Sequence, residues 1–271
     1  MNNIKRMCMD SGERTLLVSE EGRFEDIRDI FHLPVDKPII IGGPCAVEGM
    51  EAFEEIAAFL REKKVKCICG RTYKPGTSFY DFQELEEDGL KILKEVATKY
   101  SLITVAEVAN MKHIDLVSRY ADIMQIGARS MQNYELLKEV GATGRPVILK
   151  RGSGATLEEF ILAAEYLACK GNRSIVLCEG GIRTFETKTR NTLDISSIPI
   201  IKKETCLPII VDLSHSLGRK DIINPVAKSV LAAGADGIVI EVHHKPETAL
   251  SDSKQQLDEN EFTQLMSFLE K

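Results

Sequence analysis

No apolar run in this chain approaches the roughly 18 residues needed to cross a bilayer, so a membrane-spanning protein is excluded. The opening MNNIKRMCMDSGERTLLV joins no uninterrupted apolar segment to a small-residue cleavage site, and nothing marks the chain for secretion. There is no dense Lys/Arg run, and the net charge is −6. Both argue against a nucleic-acid surface, so any anionic ligand must meet positive charge gathered locally. No G-x-G-x-x-G follows the first apolar run, which speaks against a dinucleotide-binding fold. The seven cysteines, an odd number spread along the chain, suit a reducing compartment better than a disulfide framework, which points to the cytoplasm. Cys67 and Cys69 alternate in an apolar, strand-like run and read as buried structural thiols rather than metal ligands.

What is present is a regular alternation. Short β-branched runs and amphipathic stretches follow each other from about residue 38, the pattern of repeated βα units around a parallel sheet. Eight runs qualify as strands: Pro38–Gly42, Val65–Cys69, Leu102–Ala106, Ile123–Ile126, Val147–Leu149, Ile175–Cys178, Ile209–Val211 and Gly237–Glu241. Apolar residues at helical spacing predict helices over Met50–Lys63, Glu86–Tyr100, Leu157–Cys169 and Asp221–Ala233, with a closing helix near Glu259–Leu269. Eight strands in 271 residues fit a closed (β/α)₈ barrel over residues 37–271 better than an open doubly wound sheet. Residues 1–36 form an N-terminal extension, in which Thr15–Val18 and Gly22–Phe24 suggest a small hairpin covering the barrel bottom. Gly180–Leu207 reads as a functional loop with a short helix.

Catalytic groups of such barrels gather where strands end and the following loops begin. Strand one leads into Cys45, strand seven into Asp212-Leu-Ser-His215, and strand eight ends at Glu241, with Asp252 soon after. A thiolate, an imidazole and two carboxylates make a mixed donor set for one divalent ion, suiting Mn²⁺, Fe²⁺, Co²⁺ or Zn²⁺. Strand alternation turns His243 the same way as Glu241, so His243 is expected behind the ligands. A second cluster is cationic: Arg71 and Lys74 after strand two, Arg129 after strand four, Lys150 and Arg151 after strand five, and Arg183 after strand six. Strand ends aim these side chains into one mouth, where they can bind phosphate or carboxylate, so a phosphorylated acidic substrate is expected.

The ordered motifs GGPCAVE, YKPGTSFYDFQ, QIGARSMQN, VILKRG, IRTFETKTRNTLDIS, DLSHSLGR and IEVHHKPETALSD span roughly residues 37–269. Together they resemble the 3-deoxy-D-arabino-heptulosonate 7-phosphate (DAHP) synthases, in the compact microbial subfamily related to the 3-deoxy-octulosonate 8-phosphate synthases. The resemblance implies condensation of phosphoenolpyruvate with erythrose 4-phosphate, releasing phosphate, as the entry to aromatic amino acid biosynthesis. It implies Cys45, His215, Glu241 and Asp252 as metal ligands, with Mn²⁺ the favoured ion. Lys74 would contact both substrates, Arg129 and Lys150 would hold phosphoenolpyruvate, and Thr77 and Ser78 would lie near the aldose phosphate. Lys74 or metal-bound water would protonate the new alkoxide. Glu107, ending strand three, would orient the attacking water or make a structural hydrogen bond. A homo-oligomer, dimer or tetramer, is the family habit, and control by a separate regulatory domain is not expected.

The match breaks at three anion-binding positions. Where the family reads Arg-Gly-Gly-x-x-Lys-Pro-Arg-Thr-Ser, this chain has Cys69-Gly70-Arg71-Thr72-Tyr73-Lys74-Pro75-Gly76-Thr77-Ser78. Where the family reads Cys-Glu-Arg-Gly, it has Cys178-Glu179-Gly180-Gly181. Each lost charge-assisted contact is worth about 1.5–3 kcal/mol. Arg71 keeps the strand-face parity of Cys69 and can replace one of them. Two readings follow: a synthase with rearranged anion contacts, or a paralogue with a changed donor or acceptor substrate. A third, a catalytically silent barrel that binds a partner enzyme, sits poorly with the complete metal set.

Overall fold

The computed structural model describes residues 16–33, 37–72 and 85–270. Eight strands, β1 (Ile39–Gly43), β2 (Cys67–Cys69), β3 (Ile103–Glu107), β4 (Ile123–Ile126), β5 (Val147–Lys150), β6 (Ile175–Glu179), β7 (Ile209–Asp212) and β8 (Gly237–Glu241), pair in parallel in sequence order. β8 pairs back onto β1 and closes the barrel. All eight predicted strands are present, with ends moved by no more than two residues.

The strands are apolar on both faces because both faces are buried. Ile40, Ile68, Met124, Leu149, Leu177, Val211 and Ile240 pack outward under the helices. Ile39, Ile41, Cys67, Val105, Ile123, Ile148, Val176, Cys178, Ile210 and Val239 fill the barrel axis. Side chains two apart share a face. The inward set therefore continues upward to Cys69, Glu107, Gln125, Lys150, Asp212 and Glu241, and polar groups enter the axis only in its top layer. Cys67 is buried in the axial cluster, and the half-buried Cys69 packs against it.

One helix precedes the barrel, α1 (Ile27–Phe31), and the outer ring begins with α2 (Met50–Glu62), α3 (Glu86–Tyr100) and α4 (Ile114–Tyr120). It continues with α5 (Tyr134–Ala142), α6 (Leu157–Ala168), α7 (Ser197–Glu204), the short α8 (Leu213–Leu217), α9 (Ile223–Ala232) and α10 (Glu259–Leu269). Capping boxes, Thr156 with Glu159 and Asp258 with Glu261, fix where α6 and α10 begin. Among the described residues, no helix is long and apolar enough to cross a membrane.

The predicted N-terminal hairpin is corrected. Leu17–Ser19 is a 3-10 turn, and the next regular element is α1, whose N-cap Asp26 accepts from the Arg28 amide. Thr15, the first residue of the expected hairpin, lies outside the described residues. Apolar residues at 27, 30 and 31 have helical rather than alternating spacing, and Ile27, Ile30 and Phe31 pack onto the bottom of the axial cluster. The extension thus stoppers the barrel with a helix. Phe31→Ala should lower unfolding stability by about 3–5 kcal/mol, measured by denaturant melting, because Phe31 is fully buried in that stopper.

Candidate active site

The top of the barrel opens into a cavity of about 240 Å³, lined by residues from every strand end. Cys45 reaches it because the chain turns sharply after β1. Gly43 has φ +151°, and a Cβ there would lie 1.9 Å from the Cys69 carbonyl oxygen, so only glycine lets β1 approach β2 this closely. Glu241 ends β8, and its backbone N–H donates to the Ser214 hydroxyl at 2.8 Å. Asp252 sits in the loop after β8 at φ +48°, a left-handed conformation that Asp tolerates better than most residues.

Donor atoms of Cys45, Glu241 and Asp252 all lie within 4.8 Å of one another. His215 stands beside this group: its Nε2 is 3.4 Å from Glu241 Oε1 and 3.8 Å from Asp252 Oδ2. Cys45 Sγ lies 3.3 Å from Asp252 Oδ2. Burial pushes the Cys45 thiol well above its ordinary pKa; the Glu241 charge adds to this and Arg71 opposes it. Burial also works against charge on Asp252, yet Arg190 and His215, helped by the Cys45 thiol and Arg71, hold its carboxyl below the usual range. The thiol and two carboxylates of Cys45, Glu241 and Asp252 are spaced so that they could hold one divalent ion, and the His215 imidazole lies beside both carboxylates.

Behind His215 stands Asp212. Its Oδ1 accepts from the His215 backbone N–H at 3.0 Å, and its Oδ2 lies 2.9 Å from His215 Nδ1 and 2.5 Å from Lys150 Nζ. Burial would raise the Asp212 pKa, but His215 and Lys150 drive it well below the ordinary carboxylate value. Burial opposes the charge on Lys150 in turn, and Asp212 outweighs it, so the ammonium is retained. The Asp212 contact leaves His215 Nε2 turned toward Glu241 and Asp252.

Arg71, Arg129, Lys150, Arg151 and Arg183 all line the cavity, as the strand-end argument expects. Their situations differ. Arg129 and Arg183 are exposed, whereas Lys150 is 12% exposed. Arg151 is only 4% exposed and bridges Glu179 at 2.9 Å and Asp194 at 3.0 Å, so its charge serves the scaffold. Arg71 leans across the mouth onto Cys45, with Nη2 2.5 Å from Sγ. Lys74, Gly76, Thr77 and Ser78 lie outside the described residues. Glu107 is buried with its carboxylate against Gly127, and its charge acts on Lys150. Cys69 lines the same cavity, its thiol pushed up to about 12 chiefly by burial.

His243 is a correction. Expected behind the ligands on the face of Glu241, it instead has its Nδ1 accept from the Lys245 amide, and its Nε2 lies 3.6 Å from Glu48 Oε2. Strand parity stops being a guide at Glu241, where β8 ends. Other participants were missed. Gln255 donates to Glu241 Oε2 at 2.6 Å, and Gln256 accepts from the Cys45 amide at 3.1 Å. Arg190 donates to Asp252 Oδ1 at 3.1 Å and Gln255 Oε1 at 2.9 Å. Arg190 lies within the motif IRTFETKTRNTLDIS and in the loop expected to border the site, which was a usable signal; the two glutamines gave none.

The model of the family described as the DAHP synthetase I family matches residues 25–271. A phospho-2-dehydro-3-deoxyheptonate aldolase of Thermotoga maritima is 50% identical, over 97% of this chain and 80% of that protein. A 2-dehydro-3-deoxyphosphooctonate aldolase of Syntrophobacter fumaroxidans is 28% identical over 85% of each. The crystal structure of the Thermotoga phospho-2-dehydro-3-deoxyheptonate aldolase (DAHP synthase) matches with TM-score 0.83 and 52% identity, over 86% of this chain and 68% of that one. A truncated 3-deoxy-D-arabino-heptulosonate 7-phosphate synthase from the same organism matches with TM-score 0.80 and 50% identity, over 86% and 85%.

Asp212→Asn removes the carboxylate charge that bonds both Lys150 and His215. Breaking a buried pair while leaving one ion behind costs about 3–5 kcal/mol. Denaturant melts at pH 7 should show a loss of that size, and a loss under 1 kcal/mol would refute the central role given to this carboxylate.

Proposed function

The chain belongs to the DAHP synthetase I family, and from that premise we propose that it condenses phosphoenolpyruvate with erythrose 4-phosphate, giving DAHP and inorganic phosphate. The observation that carries this reading is the meeting of Cys45, Glu241 and Asp252 donors within 4.8 Å beside His215, at the edge of a cavity whose lining also holds Arg129, Lys150 and Arg183. Cys45, His215, Glu241 and Asp252 would hold a divalent ion, for which we favour Mn²⁺, and it would supply Lewis acidity toward the aldehyde carbonyl. Lys150, with Arg129 and Arg183, presents positive charge to the carboxylate and phosphate of the donor. The enol carbon forms the new bond to the aldehyde carbon, water adds to the electron-poor carbon left behind, and phosphate departs. Glu107, buried beside Lys150, orients that water. Lys74 delivers the proton that the new alkoxide takes up, and Thr77 and Ser78 receive the aldose phosphate. The reaction is assigned to the cytoplasm, consistent with six unpaired cysteines among the described residues.

A second reading, a changed donor or acceptor, is favoured by one specific feature: Cys69 and Gly180 leave two cavity positions without the charge that phosphoenolpyruvate would meet. The two readings separate in a phosphate-release assay with phosphoenolpyruvate, erythrose 4-phosphate and Mn²⁺. The synthase reading expects turnover that a chelator abolishes and added Mn²⁺ restores. No turnover at saturating substrate, in protein that still binds metal, transfers the conclusion to the second reading.

Gly180 also offers a test by addition. A Cβ there meets nothing within 4 Å, so Gly180→Arg should change stability by less than about 0.5 kcal/mol. If phosphoenolpyruvate is the donor, the added guanidinium should lower its KM by about tenfold.

A further inference from the structure

Two cations have a claim on one sulfur. Cys45 Sγ belongs to the donor group that could hold a divalent ion. Arg71 is already there. Its Nη2 is 2.5 Å from Cys45 Sγ, and its Nε donates to the Cys45 carbonyl oxygen at 2.8 Å, so the planar fork grips both ends of the same residue. The root of the side chain is equally fixed: Arg71 bridges Ala46 in parallel, and the Val47 amide donates to the Arg71 carbonyl at 2.9 Å. The guanidinium is therefore aimed by the backbone at the metal-ligating sulfur.

Resting on the metal reading above, we infer that Arg71 competes with the divalent ion for Cys45 and sets how tightly this chain holds its metal. The ion enters only as the guanidinium withdraws, because the sulfur electrons that bind the metal now face Nη2, and two positive charges repel at such separation. The withdrawn side chain keeps its root at the end of β2, on the rim of the cavity that Arg129, Lys150 and Arg183 also line. A carboxylate or phosphate bound at that rim stabilises the withdrawn position. Anion and metal therefore bind with mutual support, and by linkage each strengthens the other by the same factor.

The test uses the full chain, stripped with a chelator and titrated with Co²⁺, read by thiolate-to-cobalt absorption and by calorimetry. Arg71→Ala should bind Co²⁺ at least about tenfold more tightly than the parent, the equivalent of one charge-assisted hydrogen bond removed. Arg71→Lys keeps the charge but loses the fork, and should fall between them; it carries the test alone if the alanine variant fails to fold. Sulfate, a soluble oxyanion probe, should tighten Co²⁺ binding several-fold in the parent and leave Arg71→Ala unchanged. Equal Co²⁺ affinity in parent and variants overturns the competition while leaving the metal reading intact. Sulfate without effect on the parent overturns the coupling. No cobalt–thiolate absorption in any of the proteins removes the metal reading and this inference together.

Discussion

A buried carboxylate must find positive partners, and at Asp212 that requirement organises the mouth of the barrel. The side chain is fully buried, and water cannot offset its charge. Lys150 from β5 and His215 from the turn after β7 take water's place, so two strand ends that are not neighbours are tied through one oxygen. The other oxygen caps the first turn of α8, which carries His215. One residue thereby sets the His215 ring toward Glu241 and Asp252 and holds Lys150 charged inside the cavity. The ligand side and the cationic side cannot be adjusted independently.

A second tether positions what Asp212 does not reach. Arg151 spans Glu179 on β6 and Asp194 in the following loop, while Glu179 also accepts from the Gly181 amide at 2.6 Å. The loop then runs back along α8, with Arg190 and Asn191 amides donating to the Leu217 and Ser216 carbonyls. That path delivers Arg190 to Asp252 and Gln255, and Gln255 in turn holds Glu241. A loop of this length stays ordered because its two ends and its middle are each bonded to a barrel element.

Much of this was legible in the sequence, for identifiable reasons. Parallel strands buried on both faces give continuous apolar runs, and helices between them give 3.6-residue periodicity, so the barrel follows from pattern alone. Polar residues ending those runs, Glu107, Lys150 and Glu241, belong to the axial face because parity is conserved as long as the strand lasts. Where the strand ends, parity fails, and His243 turns to Glu48 instead of the cavity. Gln255 and Gln256 gave no signal, since a glutamine acquires meaning only from what lies across a loop closure. No element was read over α1, because a five-residue helix is too short for its period to stand out from the surrounding sequence.

The distribution of charge around the closed ring explains how missing arginines and a complete metal set can coexist. Cys45, His215, Glu241 and Asp252 come from adjacent elements, β7, β8 and β1 with their loops, so the acidic donors fill one sector of the mouth. Arg129, Lys150 and Arg183 follow β4, β5 and β6 and fill the opposite sector. Arg71 and Arg190 lie at the two boundaries, and each leans toward the acidic side, onto Cys45 and onto Asp252. Neutral Cys69 and open Gly180 stand beside those same boundaries, where the nearby arginines lean on Cys45 and Asp252. If Arg71 yields Cys45 to a divalent ion as inferred above, its positive charge returns to the cavity. In a barrel arranged this way, the strength of anion binding is a property of the metal site as much as of the cationic wall.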